Sequence, residues 1–115
     1  MTAVLYGIPN CDSVKRAQAW LHEKGTAFTL HDFKNQGVSA HRLDAWIAAL
    51  GWEPLLNRKG TTWRRLDEAL RAGVVDGRSA RAVMLQYPSV IKRPVIEWPG
   101  GAVSAGFDPA RWPAS

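Results

Sequence analysis

A second cysteine is missing from this chain of 115 residues, and with it goes any intramolecular disulfide, any CxxC redox pair and any zinc knuckle built on paired thiols. No basic leader followed by an apolar core opens the sequence, and no apolar run approaches the roughly 20 residues that cross a bilayer. These gaps lead us to expect a soluble, unprocessed protein of a reducing, cytoplasmic compartment, without membrane contact. GxGxxG and GxxxxGK[ST] runs are lacking, so no nucleotide cofactor is expected. The three histidines, His22, His31 and His41, have neither HxH nor HxxxH spacing, and nothing pairs them locally with Cys11, so no metal is expected. Repeats, low-complexity stretches and linkers are also missing. The length suits one domain, residues 1–115, around one core.

What the chain has in excess is positive charge in one place. Its 15 Lys+Arg against 10 Asp+Glu give +5. Between Arg58 and Arg93 stand nine basic residues, Arg58, Lys59, Arg64, Arg65, Arg71, Arg78, Arg81, Lys92 and Arg93, against Asp67, Glu68 and Asp76. That segment carries +6 and the remainder −1. A localised positive field suits a small anion, an anionic peptide such as glutathione, or nucleic acid, and it equally suits a set of solvated helix faces; the count alone does not choose among them. Nucleic acid is not expected: of the six tryptophans, Trp20, Trp46 and Trp63 sit in amphipathic segments, where they pack rather than stack on bases.

Periodicity gives the element order. Ala3-Val4-Leu5-Tyr6 reads as a buried strand ended by Gly7-Ile8-Pro9-Asn10. From Cys11 a helix follows, with Val14, Ala17 and Leu21 at i, i+3, i+7, Asp12 and Ser13 in its first turn and Gly25 as its stop. Residues 27–33 alternate as a second strand, completing a right-handed βαβ unit with parallel strands. Ser39 caps a helix carrying Leu43, Trp46, Ile47 and Leu50 and stopped by Gly51. Pro54 can start a short turn of helix. Thr61 or Thr62 opens a helix with Trp63, Leu66 and Leu70 on one face, and Asp76 or Ser79 opens another with Ala80, Val83, Met84 and Tyr87. Val90 to Ile96 reads as a strand broken by Pro94, so the strand proper begins at Pro94 and forms a hairpin with Ala102-Val103-Ser104. Residues 108–112 suit a terminal turn. The order predicts an α/β fold with a mixed four-stranded sheet flanked by helices, and a helical insertion over about 39–87.

Cys11 falls between a strand-ending turn and the first turn of a helix, where unpaired backbone N–H groups and the dipole favour a thiolate, and Lys15 lies one turn on. Its residue type fits a small buried hydrophobe equally well. Taken alone, Pro94 reads as an ordinary trans proline at a strand start.

Three separated motifs narrow this: Tyr6-Gly7-Ile8-Pro9-Asn10-Cys11-Asp12-Ser13-Val14-Lys15, Leu55-Leu56-Asn57-Arg58-Lys59-Gly60-Thr61-Thr62-Trp63 and Ile91-Lys92-Arg93-Pro94-Val95-Ile96. In this order, across essentially the whole chain, they resemble the arsenate reductase/Spx (ArsC/Spx) family, in particular its YffB-like branch. The resemblance implies a thioredoxin-like fold, Cys11 as the reactive thiol and Pro94 as a cis proline facing it. Family arsenate reductases surround the oxyanion with three arginines. Arg93 matches the one before the proline, and Arg58 is offset by Asn57 from the one after the Leu-Leu pair. Ala105-Gly106-Phe107-Asp108 stands where the third is expected, so little or no arsenate reduction is expected. Spx-type regulators often carry a CxxC switch, and here Val14 occupies the second position. The YffB-like branch implies a glutathione-dependent thiol reductase, a monomer, in which Cys11 attacks an oxidised thiol substrate and glutathione, as co-substrate, resolves the adduct. Arg93, with Arg58, Lys59 or Arg64, would then hold the glutathione carboxylates, the backbone beside Pro94 would pair with its peptide portion, and Lys15 or the helix terminus would lower the thiol pKa. The competing readings are a non-enzymatic, Spx-like regulator whose basic 58–93 segment binds an acidic protein surface, and an arsenate reductase.

Overall fold

A computed structural model describes residues 2–113 of the chain, which form two compact units: one runs to Gln36 and resumes at Arg93, the other is Gly37–Lys92. The first unit holds the sheet. Its elements are β1 (Ala3–Gly7), α1 (Asp12–Glu23), β2 (Phe28–Asp32), a short α2 (Phe33–Gln36), β3 (Val95–Glu97) and β4 (Val103–Ala105), followed by a 3-10 turn at Pro109–Arg111. The strand order is β2-β1-β3-β4. β1 runs parallel to β2, with Leu5 opposite Leu30, and antiparallel to β3, with Leu5 opposite Ile96. β3 pairs antiparallel with β4, Ile96 opposite Ser104.

Two periodicities meet in the core of this unit. Ala3 and Leu5 alternate onto one face of β1, and Ile96 joins them from β3. Val14, Ala17 and Leu21 of α1 repeat every three to four residues and close over them, all six fully buried. Trp98 and Trp112 extend the cluster, with Cys11, Trp20, Phe28 and Phe107 packed at its margin. The Trp98 indole N–H is satisfied by Ser104 Oγ at 2.9 Å. At the end of β1 the helix approaches so closely that only glycine fits: a Cβ on Gly7 would lie 2.6 Å from Val14 Cγ2. The strand expected over 27–33 ends at Asp32, because buried Phe33 opens α2 and the Gln36 side chain accepts the Asp32 N–H at 3.0 Å.

The second unit is helical: α3 (Ala40–Leu50), α4 (Thr61–Arg65), α5 (Glu68–Ala72) and α6 (Gly77–Gln86), then a 3-10 turn at Pro88–Val90. Ser39 caps α3 by accepting the Arg42 N–H at 3.2 Å. Asp76 opens α6 with a reciprocal pair of bonds, Ser79 N–H to Asp76 Oδ1 at 2.9 Å and Asp76 N–H to Ser79 Oγ at 3.1 Å. Trp46 and Trp63 are buried.

Two expectations for this unit are corrected. The helix foreseen from Thr61 or Thr62 to Leu70 is two short ones. Leu66 takes an extended conformation (φ −67°, ψ 149°), and Gly60 rather than a threonine is the N-cap of α4. Thr61, Thr62 and Trp63 are modest helix formers, and Asp67 favours a cap over an interior position, so propensity does not carry the helix across the junction. Pro54 starts turns, with Leu55 N–H to Trp52 O and Leu56 N–H to Glu53 O, both at 3.2 Å, and no helix. As the break at Pro94 led us to expect, Val90 and Ile91 lie outside β3. Ile91 bridges Leu56, and Asn57 N–H to Val90 O (2.8 Å) and Lys92 N–H to Leu55 O (2.7 Å) hold the two segments together. Pro94 has no N–H to extend the main sheet's ladder backwards.

The close approach at Gly7 yields a test. Gly7→Ala forces Val14, a stiff β-branched neighbour, to move, and should lower unfolding free energy by about 1–3 kcal/mol in urea titration.

Candidate active site around Cys11

The loop Gly7-Ile8-Pro9-Asn10 closes when the Cys11 N–H donates to Ile8 O at 3.0 Å, and Cys11 then stands as the N-cap of α1 in extended conformation (φ −82°, ψ 129°). Its own carbonyl accepts the Lys15 N–H at 3.0 Å, the first bond of the helix. Cap geometry aims the side chain across the helix end, where the N–H groups of Ser13 and Val14 have no intrahelical partner. The thiol is half-buried.

The second wall comes from the far end of the chain. The Arg93-Pro94 bond is cis, replacing the trans reading of the proline taken alone and agreeing with the resemblance. Pro94 is fully buried, and its carbonyl accepts the Gly106 N–H at 2.9 Å. The β1–β3 pairing therefore delivers Arg93 to the mouth of the Gly7–Asn10 loop, where its side chain hydrogen-bonds to Cys11.

Opposing forces act on the sulfur. Burial pushes the Cys11 thiol up, but the Val14 N–H, the Arg93 side-chain hydrogen bond, the Ser13 N–H and the charge of Arg93 together bring it below its ordinary value. In the neutral thiol no side-chain hydrogen bond of full geometry caps the helix, so the amides act electrostatically and await the better acceptor, a thiolate.

The structure brings Cys11, Arg93 and Pro94 together within the sheet unit. Lys15 is exposed and contributes a backbone bond to Cys11; of the two alternatives for lowering the thiol, the helix terminus acts, through Val14 and Ser13, together with Arg93. Arg58, Lys59 and Arg64 belong to the helical unit and are exposed. Arg58 lies over the Trp52 ring at 5.7 Å, a cation–π contact, while the Lys59 N–H donates to Asn57 Oδ1 at 3.2 Å. Sequence reasoning missed the Val14 and Ser13 amides as individual donors, although their N3 and N2 positions after the cap were countable. It also missed Gly106, whose contact with Pro94 depends on strand pairing. Tyr6 is structural: on the sheet face opposite the α1 core its hydroxyl donates to Glu97 Oε1 at 2.9 Å, and its ring lies 4.9 Å from His31. Among the described residues no group of three or more His, Cys, Asp or Glu could hold a metal ion, and no helix is long and apolar enough to cross a membrane.

A βαβ unit continued by an antiparallel hairpin, with a cysteine capping the first helix and a cis proline before the third strand, defines a thioredoxin-like fold. The sequence profile of the ArsC family matches residues 6–115, and the chain belongs to that family. It is 37% identical over 111 residues to an uncharacterized protein of Haemophilus influenzae, covering 96% of each chain. The solved structure of a YffB protein superposes with a TM-score of 0.87 at 45% identity, over 94% of this chain and 93% of that one. An arsenate reductase (ArsC) related protein from Brucella melitensis gives 0.75 at 46% identity, over 96% and 91%. An arsenate reductase from Vibrio cholerae, 22% identical over 96% and 94%, shares the fold with a TM-score of 0.80.

A pH profile reads this geometry directly. Alkylation of Cys11 by iodoacetamide should reach half its maximal rate below the ordinary thiol range, and Arg93→Ala should move that midpoint upward and slow alkylation at pH 6 several-fold. Stability follows the same sign. Because the folded thiol is depressed, its ionisation stabilises the fold above the unfolded-chain pKa, and that contribution fades as pH falls through the folded value.

Proposed function

We propose that the protein is a glutathione-dependent thiol reductase that uses Cys11 as its single nucleophile. The observation that carries this reading is the convergence of a helix N-terminus and one arginine on a half-buried thiol beside a cis proline. Membership of the ArsC family, and the likeness to structures described as arsenate reductases, support thiol-based reduction as the class of chemistry.

In the first step the Cys11 thiolate attacks one sulfur of an oxidised substrate disulfide. A Cys11–S–S–R bond forms, the substrate S–S bond breaks, and the second sulfur leaves as a thiolate that takes a proton from solvent. No second protein thiol exists to resolve the adduct. Glutathione thiolate therefore attacks the substrate sulfur, releasing Cys11 as thiolate and carrying the substrate away as its mixed disulfide. A further glutathione completes the reduction, so two electrons pass from two glutathiones to one disulfide. Low thiol pKa serves both halves: it supplies attacking thiolate at neutral pH and makes Cys11 a good leaving group in the second step.

Arg93 holds a glutathione carboxylate while its main chain, beside Pro94, aligns the peptide portion. Arg58, Lys59 and Arg64 are further candidates for carboxylate contacts, and the cytoplasm supplies the millimolar reductant such a cycle consumes. Arsenate is a poorer fit to a thiol served by one arginine, since an oxyanion needs several charge-assisted donors.

The reading is tested with hydroxyethyl disulfide and glutathione in an assay coupled to glutathione reductase and NADPH. Wild-type protein should accelerate NADPH consumption, and Cys11→Ser should lose ~10³-fold or more of that rate with unchanged circular dichroism. Mass spectrometry should find one glutathione on wild-type protein treated with glutathione disulfide and none on Cys11→Ser. Turnover that survives in Cys11→Ser overturns the assignment.

A further inference from the structure

The C-terminal residues follow a path that the reaction scheme does not use. After β4 the chain passes Gly106, bonded to Pro94, and continues through Phe107 and the 3-10 turn to Trp112. Trp112 is only 7% exposed, and its ring meets Trp20 of α1 edge-on at 5.0 Å, Trp98 at 5.3 Å and Phe107 edge-on at 5.3 Å. Trp20 lies nine positions beyond Cys11, roughly 13 Å along the helix. Residues 106–112 thus begin beside Pro94, at the Cys11 end of α1, and end against its far half. Phe107 and Cys11 sit at the margin of the same buried cluster to which Trp112 belongs.

Among the described residues, the main-chain bonds of this segment beyond Gly106 are local, Arg111 N–H to Asp108 O (3.0 Å) and Trp112 N–H to Pro109 O (3.2 Å). Gly106 directly follows β4, whose Ala105 pairs with Val95, so the hairpin holds it on one side and the aromatic anchor, through Phe107, holds the chain on the other. Gly106 in turn holds the Pro94 carbonyl, and the residue preceding Pro94 is the one whose guanidinium meets the sulfur. We propose that Trp112 is a positioning residue for Cys11: by anchoring residues 107–112 along α1 it fixes Gly106 against Pro94 and so places the Arg93 guanidinium at the thiol. The inference concerns the thiol itself and does not rest on glutathione being the reductant.

A chain of contacts shows proximity, and coupling has to be measured. The readout is the pH profile of Cys11 alkylation by iodoacetamide, with folding checked by circular dichroism and a cooperative urea transition. The ionisable groups nearest along the chain, Arg93 before β3, Asp12 and Lys15 on α1, and Asp108 after Phe107, stay in place in every single variant. Trp112→Ala should slow alkylation at pH 6 by about fivefold and move the profile upward, the size that packing residues one step from a site exert, while Trp112→Phe stays close to wild type. In an Arg93→Ala background the Trp112→Ala change should have no further effect, because its action passes through Arg93. Should Trp112→Ala fail to fold, Phe107→Ala, at a half-buried position, carries the same expectation. An unchanged profile in folded Trp112→Ala or Phe107→Ala overturns the proposal, and so does an equal shift in the Arg93→Ala background.

Discussion

The pairing of β1 with β3 is the constraint on which the rest of this molecule depends. Leu5 opposite Ile96 is a contact across 91 positions of chain, both side chains fully buried beneath α1. Burying a pair of this size removes a few kcal/mol of apolar surface from water, enough to hold a register that a one-residue slip would invert. Because the strands are antiparallel, the residue before β3 comes level with the residues after β1. Cys11 and Arg93 meet for that reason, not because either side chain seeks the other. The site is a by-product of a core register, which makes it sensitive to packing at positions that never touch a substrate.

Within the site, the balance is between desolvation and pre-arranged charge. A half-buried thiol loses hydration that a thiolate needs, and this alone would leave Cys11 less acidic than a free cysteine. One helix terminus offers about 0.3–1 kcal/mol to a negative group. That is modest against burial. The guanidinium adds both a hydrogen bond and a full charge, and its field is strengthened by the same partial burial that penalises the thiolate. The helix end and Arg93 therefore act as a pair: the first orients the sulfur, the second turns low local dielectric from a cost into an advantage.

How much of this was legible in the sequence divides along physical lines. Local patterns carried the first unit: the spacing of Val14, Ala17 and Leu21, the turn at Gly7-Ile8-Pro9-Asn10 and the stop at Gly25, which takes φ +71°, all read true. Capping also read true where side chains commit, as at Ser39 and Asp76. Reading failed where the outcome depends on distant partners. Pro94 marked where β3 begins, but the partners that Val90, Ile91 and Lys92 take, Leu55, Leu56 and Asn57, are a choice that propensity cannot see. The ring that the Arg58 guanidinium covers, Trp52, was likewise not legible from the motif. Cys11 was legible as a cap position, while its principal partner Arg93 was legible only through a resemblance covering the whole chain.

A solitary thiol places a limit on how tightly the site can close. An enzyme with two cysteines can resolve its adduct internally beneath a lid, whereas the one-cysteine cycle proposed above would have to admit an external thiolate in line with the new S–S bond, with the sulfur reachable after the substrate half is attached. Half-burial is the compromise the fold reaches: Cys11 packs one side against the Leu5–Val14 cluster, and its other side stays open to solvent. Rigidity then has to come from behind the site instead of from a cover over it. The cis Arg93-Pro94 segment, its Pro94 carbonyl tied to Gly106, and the glycine that lets α1 sit hard against β1 supply that backing from the buried side. An open thiol held from beneath can exchange partners without the backbone moving, and this is what an externally reduced, one-cysteine cycle requires.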